Sequence, residues 1–127
     1  MKYLLDTCAL IWLGMGGGSL SGDARRRISS ATQLYYSSIS VWEIARLKEE
    51  GKLRIPVAAD VFVEDLVDAY GLSSIPPTDE IMLRAAQLPN HHRDPANRII
   101  IATALVHDLP VVTGDEKFPQ YGIRTID

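Results

Sequence analysis

A chain of 127 residues is long enough to bury one core of its own and too short for two ordinary domains, so a single active site is the natural expectation. Its 46% hydrophobic and 23% charged residues are a globular balance, with no apolar run long enough to span a bilayer, which excludes a membrane-spanning reading. Thirteen Lys and Arg against sixteen Asp and Glu leave a net charge of −3, which excludes coating nucleic acid by bulk positive charge; any such binding must be local or metal-assisted.

The N-terminal stretch MKYLLDTCALIW resembles the front of a secretory signal, but Asp6 interrupts its apolar centre and the Gly16-Gly17-Gly18 that follows reads as a loop, so it is expected to stay in the working protein. Tyr3 to Leu5 reads as a buried strand ending at Asp6, followed by an apolar helical stretch, Ala9 to Leu13. Cys8 has no partner for a disulfide, which favours the cytoplasm, and inside an apolar run it reads as a small buried hydrophobe. Gly14 to Gly18 is a loop, Ala24 to Ala31 a polar helix, and Gln33 to Ser37 a second strand. Ser40-Val41-Trp42-Glu43 has capping-box spacing and opens a helix that runs to about Glu50 and stops at Gly51.

Val57 to Tyr70 interleaves apolar and acidic residues at helical spacing and ends at Gly71. Leu72 to Ile75 is a third short strand, closed by two prolines, after which Thr78 caps a helix over Asp79 to Leu88. Asp94 before Pro95 predicts an N-cap with proline at the first helical position, and that helix reaches about His107. Val111 to Thr113 is a fourth strand ending at Gly114-Asp115, and Ile123 to Ile126 a fifth. Strands alternating with helices predict an α/β sandwich around a mostly parallel sheet.

Asp6 and Asp115 stand directly past predicted strands, and in an open parallel sheet the carboxyl ends of strands are where ligands bind. Glu43 lies early in the helix after the second strand, and Asp94 with Asn97 opens the helix leading to the fourth. Grouped carboxylates raise one another's pKa unless a cation neutralises them. Oxygen donors without His or Cys suit Mg²⁺ or Mn²⁺, which takes phosphate oxygens among its remaining ligands; the implied substrate is a phosphate ester. Each acid also has a plainer reading: Asp6 and Asp94 as helix caps, Glu43 as the reciprocal arm of its capping box, Asp115 as a turn residue.

Four stretches, LLDTCALIW, SSISVWEIARLKEEGKL, HHRDPANRIIIATAL preceded by LP, and LPVVTGDEKFPQYGIRTI, stand in the order and spacing of one family. In them the chain resembles the PIN-domain ribonucleases, specifically the VapC toxins of bacterial toxin–antitoxin pairs. The resemblance implies a PIN-like three-layer α/β sandwich over residues 1–127 and a Mg²⁺- or Mn²⁺-dependent endoribonuclease. Matched by position, its catalytic and metal-holding residues are Asp6, Glu43, Asn97 and Asp115, with Asp94, Thr7 and Thr113 as possible auxiliaries. It also implies a homodimer and a VapB-like antitoxin that occludes the site. Relatives usually carry Asp-Pro-x-Asp-Arg where this chain has Asn97; asparagine keeps a carbonyl oxygen but removes a full negative charge. A substitution made to disarm a toxin, a naturally weakened member, and Asp94 shifting into the role are the competing explanations.

The run GMGGGS follows a helix rather than a strand and lacks the Gly-Lys-Ser/Thr ending, so it is a connector and not a phosphate cradle. His91 and His92 are adjacent rather than at helical spacing and read as surface or RNA-facing residues. Arg93 and Arg98, beside the expected site, are the candidates for RNA phosphates. Two other function classes stay open: phosphoryl transfer through an aspartyl phosphate, against which Asp6-Thr7-Cys8 lacks the second acid that phosphatases use, and an RNA- or antitoxin-binding module without turnover, which Asn97 would suit.

Overall fold

Tyr3, Leu4 and Leu5 form an unbroken apolar run because their strand is covered on both faces, each side chain being almost fully removed from water. In the computed structural model, which describes residues 1–127, this strand, β1 (Lys2–Leu5), is the centre of a five-stranded sheet. The others are β2 (Gln33–Ser37), β3 (Leu72–Ile75), β4 (Val111–Val112) and β5 (Thr125–Ile126), in the order β3-β2-β1-β4-β5, with every pairing parallel.

Seven helical segments connect the strands. They are α1 (Thr7–Gly14), α2 (Gly22–Ser30), α3 (Ser38–Glu49), α4 (Ala59–Tyr70), α5 (Asp79–Gln87), α6 (Pro95–His107) and a 3₁₀ turn at Phe118–Tyr121. On one face of the sheet Leu5, Leu34 and Val112 pack with Leu10, Leu13, Ala24, Ile28, Phe62 and Leu66 from α1, α2 and α4. On the other, Leu4 and Val111 meet Ile100, Ile101 and Ala104 of α6 with Phe118, while Ile81 and Ala85 of α5 pack on Ile75, Ile99 and Ala102. Burying each of the larger of these side chains contributes roughly 1.5–3 kcal/mol, which is why the two apolar faces, rather than helix propensity, hold the layers together.

Several boundaries follow the punctuation in the sequence. Thr78 accepts a hydrogen bond from the Ile81 amide at the start of α5, and Gly71 ends α4 in the left-handed conformation at φ 64°. Asp94 caps α6 through the Asn97 amide at 3.1 Å, with Pro95 at the first position.

One boundary differs from expectation with a consequence for the site. The helix after β2 does not begin at Ser40: Ser37 is its N-cap, accepting from the Ile39 amide at 3.2 Å, so α3 starts directly off the strand. Ser40 and Glu43 therefore form no capping box. Ser40 is fully buried and paired with Thr7 at 2.8 Å, and Glu43 falls in the second turn with its carboxylate free of capping duty. The competing signal was Ser37 itself, whose hydroxyl satisfies the helix start three residues earlier.

The chain runs outward from β1 to β2 and β3, then returns to the opposite side of β1 to lay down β4 and β5. That reversal makes the β1–β4 boundary the switch point, and the crevice beyond the carboxyl ends of those strands is where the topology places a ligand. The register sets Leu5 level with Val112, so Asp6 and Thr113 leave the sheet side by side. Helix α3 packs against α1 and α4 on one side and α6 on the other, which brings Glu43 to the same end of the sheet.

Candidate active site

Asp6 is buried and does two things at once. Its Oδ1 accepts from the Ala9 amide at 2.8 Å, capping α1, and its Oδ2 accepts from the Thr113 hydroxyl at 2.6 Å. Burial pushes its pKa up to about 6; the bonds from Thr113 and Ala9 oppose the rise, and the charges of Asp115 and Glu43 add to it. The cap and the site are thus compatible readings of one carboxylate.

Thr113 in turn accepts the Asp115 amide at 3.0 Å, so a single hydroxyl ties the two acids at the ends of β1 and β4. Asp115 Oδ1 accepts from the Lys117 amide at 2.9 Å, and its Oδ2 lies 2.8 Å from His92 Nε2. Glu43 is 8% exposed, and its Oε1 has no hydrogen-bond partner at all. Its Oε2 stands 3.9 Å from Arg46, whose guanidinium also lies over the exposed Trp42 ring, 5.2 Å from the centroid. A buried carboxylate oxygen without a partner is expensive, and an ion or its water is the chemistry that would satisfy it.

Thr7 is buried against Ser40 and joins the start of α1 to α3, which fixes the helix carrying Glu43 relative to Asp6. Asp94 is taken up as the α6 cap through Oδ1. Cys8 corrects the expectation of a buried hydrophobe: one side is open to solvent while protein crowds the other. That desolvation, ahead of the charges of Asp6, Glu43, Asp115 and Asp94, pushes its thiol up to about 11, so it is no thiolate nucleophile near neutral pH.

Two residues stand otherwise than expected. Arg98 is not free for RNA phosphate: its guanidinium donates to four carbonyls, those of Ala85, Leu88, Pro89 and His92, at 2.8 to 3.2 Å. It closes the loop between α5 and α6, whereas Arg93 is exposed there. His92 is not a surface residue. It is 7% exposed, edge-on to Phe118, and bonded to Asp115, to Asn97 and to the Asp94 amide. Only its place two residues before the Asp94 cap hinted at this, because a cap fixes the loop leading into it.

No three of the chain's Asp, Glu, His or Cys side chains stand together in a way that would hold a metal ion by themselves. Like charges separate without a cation, and Asp6 and Asp115 oxygens turn to Thr113, Lys117 and His92 instead. The donors nevertheless fit a hard divalent ion. They are oxygens, one of them unpartnered and buried, and Mg²⁺ commonly takes only one or two carboxylates and keeps water and phosphate for the rest.

The sequence pattern of the PIN domain matches residues 3–123, nearly the whole chain. The chain belongs to the PIN domain family. A curated relative, Ribonuclease VapC22 of Mycobacterium tuberculosis (strain ATCC 25618 / H37Rv), is 30% identical over 115 residues, 90% of this chain and 87% of that protein, which marks this PIN domain as VapC-like. Among solved structures, the DNA-bound VapBC of Salmonella typhimurium superposes with a TM-score of 0.72 at 19% identity, covering 100% of this chain and 98% of that one. FitAcB of Neisseria gonorrhoeae gives 0.70 at 20% identity, covering 98% and 96%. Asp6, Glu43 and Asp115 lie at the sheet end where β1 and β4 meet, close enough for their charges to act on one another, and Asn97 adjoins Asp115 through His92. No helix of the chain is long and apolar enough to cross a membrane.

Proposed function

We propose that this chain is a metal-dependent endoribonuclease that hydrolyses RNA phosphodiester bonds, and that its toxicity is held in check by a VapB-like antitoxin. The observation that carries the reading is the unpartnered, buried Glu43 Oε1 at the same sheet end as Asp6 and Asp115. The relative named as a ribonuclease supports the RNA substrate, and the neighbours solved as VapBC complexes support the antitoxin.

Asp6, Glu43 and Asp115 would hold Mg²⁺ or Mn²⁺, with position 97 at its edge. When bound, the ion supplies Lewis-acid stabilisation of phosphoryl charge and lowers the pKa of water. Glu43 Oε1 accepts from the attacking water and orients it towards phosphorus. The water oxygen bonds to phosphorus as the ester oxygen opposite departs; the water's proton passes to Glu43 and the departing oxygen takes one from solvent, leaving a phosphate monoester and a hydroxyl end. Thr113 keeps the Asp6 carboxylate aimed and favours its charged form. Arg93, exposed in the loop that carries His92 and Asp94, would meet a flanking phosphate.

The antitoxin has a surface of suitable chemistry in an apolar groove of about 660 Å³ between the end of α1, the segment before α4, and α4 itself, lined by Leu13, Ile55, Val57, Phe62, Leu66 and Tyr70. Met82 and Leu83, exposed on α5, suit a homodimer contact. The cytoplasm, where RNA and reduced thiols coexist, is the compartment this activity requires.

The second reading, a module that binds RNA or antitoxin without turnover, is favoured by Asn97. Purified protein, its N97D variant and its D6N variant, assayed on total RNA with and without Mn²⁺, separate the two. The nuclease reading expects Mn²⁺-dependent cleavage that rises with N97D and vanishes with D6N. Cleavage absent from both the parent and N97D, or indifferent to D6N, sinks it.

A further inference from the structure

His92 sits in a cage that dictates where its proton is. The backbone amide of Asp94 points at Nδ1 from 3.2 Å, and that amide cannot turn away, because Asp94 is the N-cap of α6. The backbone amide of His92 itself donates to the Tyr121 hydroxyl at 2.7 Å, which donates on to the Pro89 carbonyl at 2.7 Å, so the residue is pinned at both ends. An N–H donor facing Nδ1 makes Nδ1 the acceptor, which leaves the ring proton on Nε2.

Nε2 has two neighbours. Asp115 Oδ2, at 2.8 Å, can only accept. The side-chain amide of Asn97 lies 3.2 Å away through its nitrogen position, and a nitrogen there could only donate. Two N–H donors do not bond, so the amide satisfies the contact with its oxygen towards the ring and its NH₂ on the other side.

We propose that His92 is a positioning residue: an Nε2–H donor with a bare Nδ1, locked by the Asp94 amide, that aims Asp115 and turns the Asn97 amide oxygen towards itself. Asn97 then offers N–H donors, not an oxygen, to a cation. Aspartate at 97 would give one oxygen to His92 and leave the second for the ion. The lock on His92 stands on its hydrogen bonds alone, whereas the consequence for the ion rests on the metal site proposed above.

Two measurements test this on the full chain. Long-range ¹H–¹⁵N correlation at pH 8 on unmodified, metal-free protein reads the tautomer: a protonated Nε2 with a bare Nδ1 is expected. A protonated Nδ1 overturns the lock, whatever the chain's activity. Titration of Mn²⁺ alone, followed by EPR, reads the coupling in the parent, N97D, H92L, H92Q and both double variants. Aspartate at 97 adds a negatively charged oxygen donor for the ion, and groups that hydrogen-bond metal ligands, as His92 would, typically shift affinity 10- to 100-fold, so N97D should tighten Mn²⁺ by at least about tenfold with His92 present. That gain should fall below about threefold beside H92L and return beside H92Q, whose amide keeps a donor at the Nε2 position. An equal gain beside H92L, or none beside H92Q, refutes the positioning role. If no variant binds Mn²⁺, the metal reading and the consequence drawn for position 97 fail together, and the tautomer measurement still decides the lock. Circular dichroism confirms that each variant is folded before it is compared.

Discussion

The Thr113 hydroxyl donates to Asp6 Oδ2 at 2.6 Å, joining residues 107 positions apart in sequence across the two central strands. The same oxygen accepts the Asp115 amide. Replacing Thr113 with valine removes both bonds and leaves a buried carboxylate oxygen and a backbone amide uncompensated. The expected loss is about 2 kcal/mol of stability, with the Asp6 pKa moving further above 6 because the bond that opposed the rise is gone. Urea unfolding reads the first effect. The acid limb of the cleavage profile, shifted to higher pH, reads the second.

Metal-free stability should fall as pH rises past Asp6. A carboxyl with a folded pKa near 6 against 3.8 in the unfolded chain favours folding only while protonated. That contribution is complete below pH 3.8 and is lost as pH rises through 6. The difference is on the order of 3 kcal/mol. Comparing the parent with D6N isolates it: the variant should gain on the parent between pH 4 and pH 7, and Mn²⁺ at pH 7 should stabilise the parent more than D6N. A parent-minus-variant difference that does not change with pH would contradict the assignment.

Arg98 and Arg93 should separate stability from binding. Arg98→Ala leaves four carbonyls without their donor and should cost about 2–4 kcal/mol. Arg98→Lys should not restore it, since one ammonium cannot span that fork. Arg93→Ala should leave the melting temperature unchanged and weaken RNA binding severalfold, with a shallower salt dependence. Thermal unfolding and salt-titrated RNA binding check both.

Gly14 closes α1 where Phe62 of α4 comes against it. A Cβ there would collide with the Phe62 ring, so Gly14→Ala must displace the ring that lines the apolar groove. The expected cost is about 1–3 kcal/mol, read by denaturant unfolding. If the groove receives the antitoxin, the same variant should bind it more weakly.

The elements of this protein could be read along the chain because their signals are local. Proline at 95, the Asp94 and Thr78 caps, Gly71 in the left-handed region and the apolar run of β1 each act within a few residues. The same locality misled at Ser40, where a capping-box spacing matched but Ser37, nearer the strand end, took the cap. Asp6 and Asp115 were legible as acids past strands. That they meet at one end of the sheet was expected through the family resemblance; the residues alone could not show it, because it depends on β4 pairing beside β1 rather than at the sheet's edge. Nor could sequence show that His92 is buried, that Arg98 serves the backbone, or that Glu43 keeps an unpaired oxygen. Periodicity and caps are settled between near neighbours. Partner choice among polar side chains is settled only when packing removes water and leaves each donor and acceptor with what the fold has brought within reach.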